Sequence, residues 1–366
     1  MRQKKSFLSK QVKKPDRSLL ILILVFVFLG LVAVADVSAP QALSQFNDKF
    51  FFLKQQAIWA VLGLIAMFVV SKIDYKFWEK VATPFFFAAV VLLVVVLIPG
   101  IGAKLLGARR WIAIGSFNLQ PSEIIKLALA MYLAKVAQSK KGVLSFFVPF
   151  ALVLVLIMLQ PDLGTALVVA FLGFSQIFVS GVNILYFVGA TLIGAVATLT
   201  LIVFSPYRKD RLMTFLQSTS DPLGRDYHIR QILLSLGSGG IFGVGIGQSH
   251  QKYLFLPEAS TDSIFAVILE ELGFVGGVIL IGLFVYFIFR LLRVCLNAPD
   301  DFAKIFAIGI TCWLGGQIFL NMASMVALVP LTGIPLPFFS YGGSSLVTIL
   351  IACGILLNIS SHATKT

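Results

Sequence analysis

Ten stretches of this chain are long and apolar enough to cross a lipid bilayer, and no other feature restricts its fold as severely. A helix needs ~20 residues at ~1.5 Å rise each to pass ~30 Å of hydrocarbon. The segments that qualify are approximately 18–37, 54–71, 82–98, 120–137, 143–160, 163–181, 183–203, 263–290, 302–329 and 342–360. Pro161 and Gly164 separate one close pair, and Gly181 and Asn183 the other. The expected fold is an all-α integral membrane protein with about ten spans. The composition agrees, at 58% hydrophobic and 12% charged residues, because a soluble domain cannot hide that much apolar surface.

The chain divides into a basic tail, 1–17, and a single polytopic domain, 18–366. The basic start, the run 19–34 and the triplet Ala33, Val34 and Ala35 together resemble a cleavable signal peptide. The run is slightly long for one, and many spans follow, so the first helix is expected to be retained. With the N-terminus inside, ten spans return the C-terminus to the same side, and 17 of the 29 Lys and Arg residues then lie inside. That bias follows the positive-inside rule. The net charge of +13 is therefore read as topology and lipid contact, not nucleic-acid binding. The outer cations form two clusters: Lys104, Arg109, Arg110 and Lys126, and a second set between Arg208 and Lys252. Positive charge placed against the topological preference points to an anionic ligand.

The large outer loop, about 205–260 between the seventh and eighth spans, is too long for a simple connection. Its segment YRKDRLMTFLQ has the pattern of a short interfacial helix, and a second helix is expected over about 226–236. The following GSGGIFGVGIG fits no nucleotide-binding fingerprint and reads as a close-packed backbone turn. Cys295, Cys312 and Cys353 have no metal-like spacing and read as buried free thiols, and the three histidines are too scattered for a metal cluster.

Four motifs carry polar chemistry, and each has a structural reading beside the functional one. In QPSEIIK, Pro121 suits a first helical turn, and Glu123 and Lys126 share a helix face. They form either a self-neutralising pair beside a Trp111 anchor or, with Arg109 and Arg110, an anion site. In QPDLG, Asp162 either caps the next helix or takes part in a site. Asp262 stands at the mouth of the eighth span, as an N-cap or a reacting group. Glu270 lies about 80° around the helix from it and ~12 Å deeper, the place of a structural partner for a buried donor, with Glu271 on the opposite face. The stretch PLTGIPLPFFSYGGSS must form a rigid loop, after which Ser344 or Ser345 can cap the tenth span.

Together and in this order, GARRWI, QPSEIIKL, QPDLGTAL, YRKDRLMTFL, LGSGGIFGVGIGQSHQKYLFLPEASTDSIFAVILEELGF and GIPLPFFSYGGSS are highly specific. The chain resembles the SEDS family (shape, elongation, division and sporulation) of peptidoglycan glycosyltransferases over nearly its whole length. DPLG at 221–224 and LPEA in place of LPEQ resemble the FtsW and SpoVE branch more than the RodA branch. The family's HTDF appears here as Ser260, Thr261, Asp262 and Ser263, which keeps the acid and loses its two flanks.

The resemblance implies a lipid II polymerase of the bacterial cytoplasmic membrane, with both termini cytoplasmic and the active site extracytoplasmic. It implies an inverting displacement, with one base at the acceptor hydroxyl and positive charge at the departing undecaprenyl pyrophosphate. Asp262 is the implied base. Arg110, Lys126, Arg211 and Lys252 are the implied cations, and Arg109, Glu123, Glu258, Thr261 and Ser340 complete the substrate-contacting set. The chemistry leaves room for a divalent cation, Mg or Mn, but no DxD pair holds one. The implied partners are a class B penicillin-binding protein and other divisome or elongasome proteins, with no nucleic acid. Two alternatives stand beside the enzyme: a flippase of lipid-linked precursor, and a catalytically silent scaffold for the transpeptidase.

Overall fold

Local chemistry sets the helix boundaries. The Asp16 carboxylate accepts the Leu19 N–H at 3.0 Å and starts α1, Arg17–Val37. A short helix α2, Ala39–Phe46, has Pro40 in its first turn, and α3 (Phe51–Lys72) and α4 (Tyr75–Val95) follow. Pro121 opens α5, Pro121–Gln138, as its position predicts. Asp162 caps α7, Leu163–Val179, by accepting the Thr165 N–H at 3.0 Å. The remaining helices are α6 (Leu144–Leu159), α8 (Ile184–Phe204), α9 (Tyr227–Gly239), α10 (Ile264–Leu296), α11 (Asp301–Met325) and α12 (Gly343–Ser361). These elements belong to a computed structural model that describes residues 15–105, 108–115, 117–139, 142–204 and 227–363.

Ten of the helices coincide with the ten apolar segments of the sequence, and α9 with the second helix expected in the outer loop. Six (α1, α3, α4, α10, α11 and α12) meet both the length and the apolarity of a membrane span, while α6 and α7 are shorter. The protein is multi-pass. One addition was not anticipated: a three-stranded antiparallel sheet, β1 (Gly102–Leu105), β2 (Ala108–Ile114) and β3 (Phe117–Leu119), joins α4 to α5 and carries Arg109 and Arg110 on its central strand.

Helix α5 is buried on nearly every side, packed among α4, α7 and α11, while α12 runs along α3. α1 belongs to this core. Phe26 stacks on Phe284 of α10 and on Phe338, with ring centroids 4.6 and 5.6 Å apart, and Phe287 and Phe339 close the cluster. Those aromatics anchor the Pro- and Gly-rich loop 330–342. Its exit differs from expectation, because Gly342 occupies the cap of α12. The Ser344 hydroxyl instead donates to the Asn118 carbonyl at 2.8 Å and so ties the sheet to the helix.

Helix α10 breaks at Gly273, whose φ of 67° and ψ of −168° are not helical. A break releases carbonyls and N–H groups that hydrocarbon cannot satisfy. The glycine-rich turn supplies the partners: Val244 and Gly245 donate to the Glu270 and Glu271 carbonyls, while Phe274 and Val275 donate to Gly240 and Ile241, all at 2.9–3.1 Å. The approach is so close that a Cβ on Gly243 would stand 2.0 Å from the Glu271 oxygen. The turn is the close-packed backbone element that its composition suggests.

Candidate active site

The loop 330–342 is the hub to which the polar motifs fasten. Gly164 of the QPDLG corner presses against it, since a Cβ there would lie 2.5 Å from the Thr332 carbonyl. From α11, Gln317 donates to the Pro335 carbonyl at 3.0 Å and Asn321 to the Ile334 carbonyl at 2.8 Å. Ser340 accepts the Leu336 N–H and donates to the Thr261 carbonyl at 2.5 Å. The donor and one acceptor site of that hydroxyl go to backbone, so Ser340 straps the Thr261 segment in place.

Asp262 is half-buried immediately ahead of α10. The cap position falls to Ser263, which makes no side-chain capping bond. Asn321 donates a second bond, 2.8 Å, to the Asp262 carbonyl. The Tyr341 N–H holds the Ser260 carbonyl at 2.9 Å, and His228 of α9 meets the Ser263 hydroxyl at 2.9 Å. Glu258 is exposed and accepts the Thr261 hydroxyl at 2.9 Å. The segment bearing the acid is therefore fixed from three sides.

Glu123 and Lys126 are both 2% exposed and paired at 2.8 Å. Lys126 also donates to Gln317 at 3.1 Å and lies 4.9 Å from the Trp313 ring centroid. This is the self-neutralising pair, set against Trp313 and not Trp111. A buried, paired ammonium is not open to a diphosphate, so Lys126 is removed from the anion-contacting set. Gln317 and Asn321 are four residues apart, hence on one face of α11 and ~6 Å apart along its axis. One helix face thus holds the buried ion pair on one turn and the Asp262 backbone on the next.

Lys252 also departs from expectation. It is 4% exposed, with its ammonium 2.8 Å from both Asp36 and Glu271. Burial pulls its pKa down, but the hydrogen bonds and charges of the two carboxylates outweigh this, and the net direction is up. A cation outnumbered by carboxylates offers no attraction to a pyrophosphate. Glu270 accepts from the Ser249 hydroxyl at 2.5 Å and the His250 N–H at 3.1 Å. It is a structural partner, as its depth predicts. Glu271 shares that task, because residues 249–252 wrap both carboxylates.

Of the remaining cations, Arg110 donates to the Gln160 and Pro161 carbonyls at 3.1 and 2.6 Å and lies 3.8 Å from Asp162. It pins the sheet to the QPDLG corner. Arg109, half-buried, makes no ion pair or side-chain hydrogen bond among the described residues. Arg211 lies outside the described residues. Among the described residues no three His, Cys, Asp or Glu side chains are grouped to hold a metal ion.

Gln317, Asn321, Asp36 and Gln160 are the site-building residues that sequence reasoning passed over. Polar side chains inside apolar helices were their available signal.

The family model described as Cell cycle protein, for FtsW, RodA and SpoVE, matches residues 16–365. The chain belongs to the SEDS family. Among its SEDS relatives, stage V sporulation protein E of Bacillus subtilis (strain 168) is 43% identical over 358 residues, 95% of this chain and 98% of the relative. A probable peptidoglycan glycosyltransferase FtsW of Trichlorobacter lovleyi is 40% identical, covering 94% of this chain and 93% of its own. Rod shape determining protein RodA of Thermus thermophilus superposes with a TM-score of 0.71 at 29% identity, covering 96% of this chain and 98% of RodA. A chain from a peptidoglycan synthase complex that coordinates polymerization and crosslinking superposes with a TM-score of 0.78 at 30% identity, covering 94% of this chain and 97% of that one. Among these SEDS proteins, identity is higher to FtsW and stage V sporulation protein E than to RodA, the direction set by the DPLG and LPEA motifs.

Proposed function

We propose that this protein polymerises lipid II into β-1,4-linked glycan, with Asp262 as the general base. The observation that carries the reading is a half-buried carboxylate on a backbone segment held by Asn321, Ser340 and Tyr341, in a chain whose relatives are named peptidoglycan glycosyltransferases. The 4-hydroxyl of an acceptor sugar attacks the anomeric carbon of the donor. Its proton passes to Asp262 while the bond to the undecaprenyl pyrophosphate breaks and that oxygen takes the electron pair. General-base assistance of this kind is worth ~10²–10⁴-fold, and cations hold the diphosphate charge as it develops. Arg109, half-buried on the sheet and without an ion pair among the described residues, is a cation available for that task, and Arg211 joins it by resemblance.

Glu123 Oε2, Asn321 Oδ1 and Thr332 Oγ1 are buried without a hydrogen-bond partner among the described residues. Groups of that kind line places where sugars or water complete the bonding. No step is routed through a metal ion. The N- and C-termini are placed in the cytoplasm and Asp262 at the outer surface, and a class B penicillin-binding protein is the partner that crosslinks the product.

The test is lipid II polymerisation by the purified chain with its cognate transpeptidase. Asp262→Ala is expected to abolish glycan synthesis while partner binding is retained. Unchanged polymerisation would leave only the scaffold reading.

A further inference from the structure

The end of the bundle farthest from Asp262 contains a cavity that the glycosyl-transfer reaction does not use. From Gly273, α10 runs ~25–30 Å to its last basic residues at ~1.5 Å per residue, about the thickness of the hydrocarbon layer. There the start of α1 and the ends of α10 and α12 line an open concavity of about 430 Å³, bordered by Asp16, Arg17, Arg290, Arg293, Asn297 and Ser360 among others. Three guanidinium groups face one carboxylate. The Asp16 carboxylate is committed to the Leu19 N–H and to an ion pair with Arg290. Arg290 Nε is buried and has no hydrogen-bond partner among the described residues. Arg17 and Arg293 make no ion pair among the described residues, and Arg293 lies over the Phe289 ring at 4.6 Å.

Helix ends do not cancel this charge. The carboxyl ends of α10 and α12 contribute about half a negative charge each and the amino end of α1 about half a positive one. A surplus of one to two positive charges remains, as an order of magnitude. The positive-inside rule explains arginines at this end of the helices. It does not explain a concavity built around a buried guanidinium N–H with no acceptor among the described residues.

We propose that this cavity binds a phosphate-class anion, the chemistry shared by an anionic phospholipid head group and free inorganic phosphate. Arg forks match phosphate oxygens, and basic pockets between helices at a membrane face are suited to lipid head groups. A ligand there bridges α1, α10 and α12 at the depth where lipid phosphates lie.

The test uses the full chain, purified and reconstituted in phosphatidylcholine with or without phosphatidylglycerol. Retained lipid is read by native mass spectrometry, and thermal unfolding is followed with and without millimolar inorganic phosphate. The double variant Arg17→Ala/Arg293→Ala leaves the pair of Asp16 and Arg290 in place. It is expected to weaken phosphatidylglycerol retention by about tenfold or more, the value of lost charged hydrogen bonds. A control variant, Lys4→Gln/Lys5→Gln, is expected to retain lipid as the parent does. Retention without a response to phosphate assigns the head group, and stabilisation by phosphate in lipid-free detergent assigns the free anion. Equal retention of phosphatidylcholine, equal loss in the control variant, or no effect of the double variant overturns the proposal.

Discussion

Asn321→Ala tests whether α11 places the acid. Asn321 is fully buried, and its amide donates at 2.8 Å to the Asp262 and Ile334 carbonyls. Each such bond contributes about 1 kcal/mol net, and a carbonyl left buried and unsatisfied costs about 1–3 kcal/mol. The variant is therefore expected to lose about 2–4 kcal/mol of stability. The strap from Ser340 to Thr261 remains, so the Asp262 segment shifts without coming loose. A displacement of ~1 Å at a reacting group costs ~10²-fold in rate, about 2.7 kcal/mol of barrier. The assay pairs lipid II polymerisation at fixed transpeptidase with denaturation in the same detergent. Ser340→Ala acts on the neighbouring residue of the same segment, so the double variant is expected to be non-additive in rate. If Asn321→Ala lost stability as expected but polymerised at the parental rate, the placement argument would be refuted.

Three further outcomes follow from the frame. Gly243→Ala puts a Cβ 2.0 Å from the Glu271 carbonyl at a φ of 82° and is expected to lower the unfolding temperature severely, whereas Gly237→Ala, with nothing within 4 Å, is tolerated. Lys126→Met leaves a buried carboxylate unpaired and is expected to cost about 3–5 kcal/mol; Glu123→Gln/Lys126→Met recovers part of that loss in the same denaturation assay. Because the Lys252 pKa is raised in the folded protein, its stabilisation is complete below the ordinary lysine value and is lost as pH rises through the folded one. Thermal scans should thus show no pH dependence from Lys252 near neutrality, where its stabilisation is fully present, and a decline only in the alkaline range, a decline that Lys252→Met removes.

The membrane helices were legible because length and apolarity alone specify them, and single residues such as Pro121 and Asp162 marked their ends. The small sheet was not, since three short strands broken by Gly107 and Gly115 leave no alternating pattern long enough to register. The break in α10 was hidden for a related reason: Gly273 sits in an apolar run where a glycine is ordinarily tolerated. In the candidate site, motif order drew attention to Asp262, but a lysine in a sequence looks free wherever it stands. The carboxylates that neutralise Lys252 lie 216 and 19 residues away, one on α1 and one on α10, and only the folded arrangement of both helices around the 249–252 segment brings them to it.

That misreading exposes how charge is divided in the molecule. The bonded cations hold the frame: buried Lys126 joins α5 to α11, buried Lys252 joins the 249–252 segment to α1 and α10, and half-buried Arg110 joins the sheet to the QPDLG corner. Two of the three are neutralised by carboxylates at 2.8 Å, so the frame carries little field of its own. A frame of that kind suits a reaction that must release a diphosphate as well as stabilise it, because permanent buried positive charge would hold the product. Under the proposed function the anion would be gripped from the rim, with Arg109 as one such cation, while the interior keeps the acid in position. Removing a rim cation should then raise the lipid II concentration required without destabilising the fold, and removing a frame cation should do the reverse.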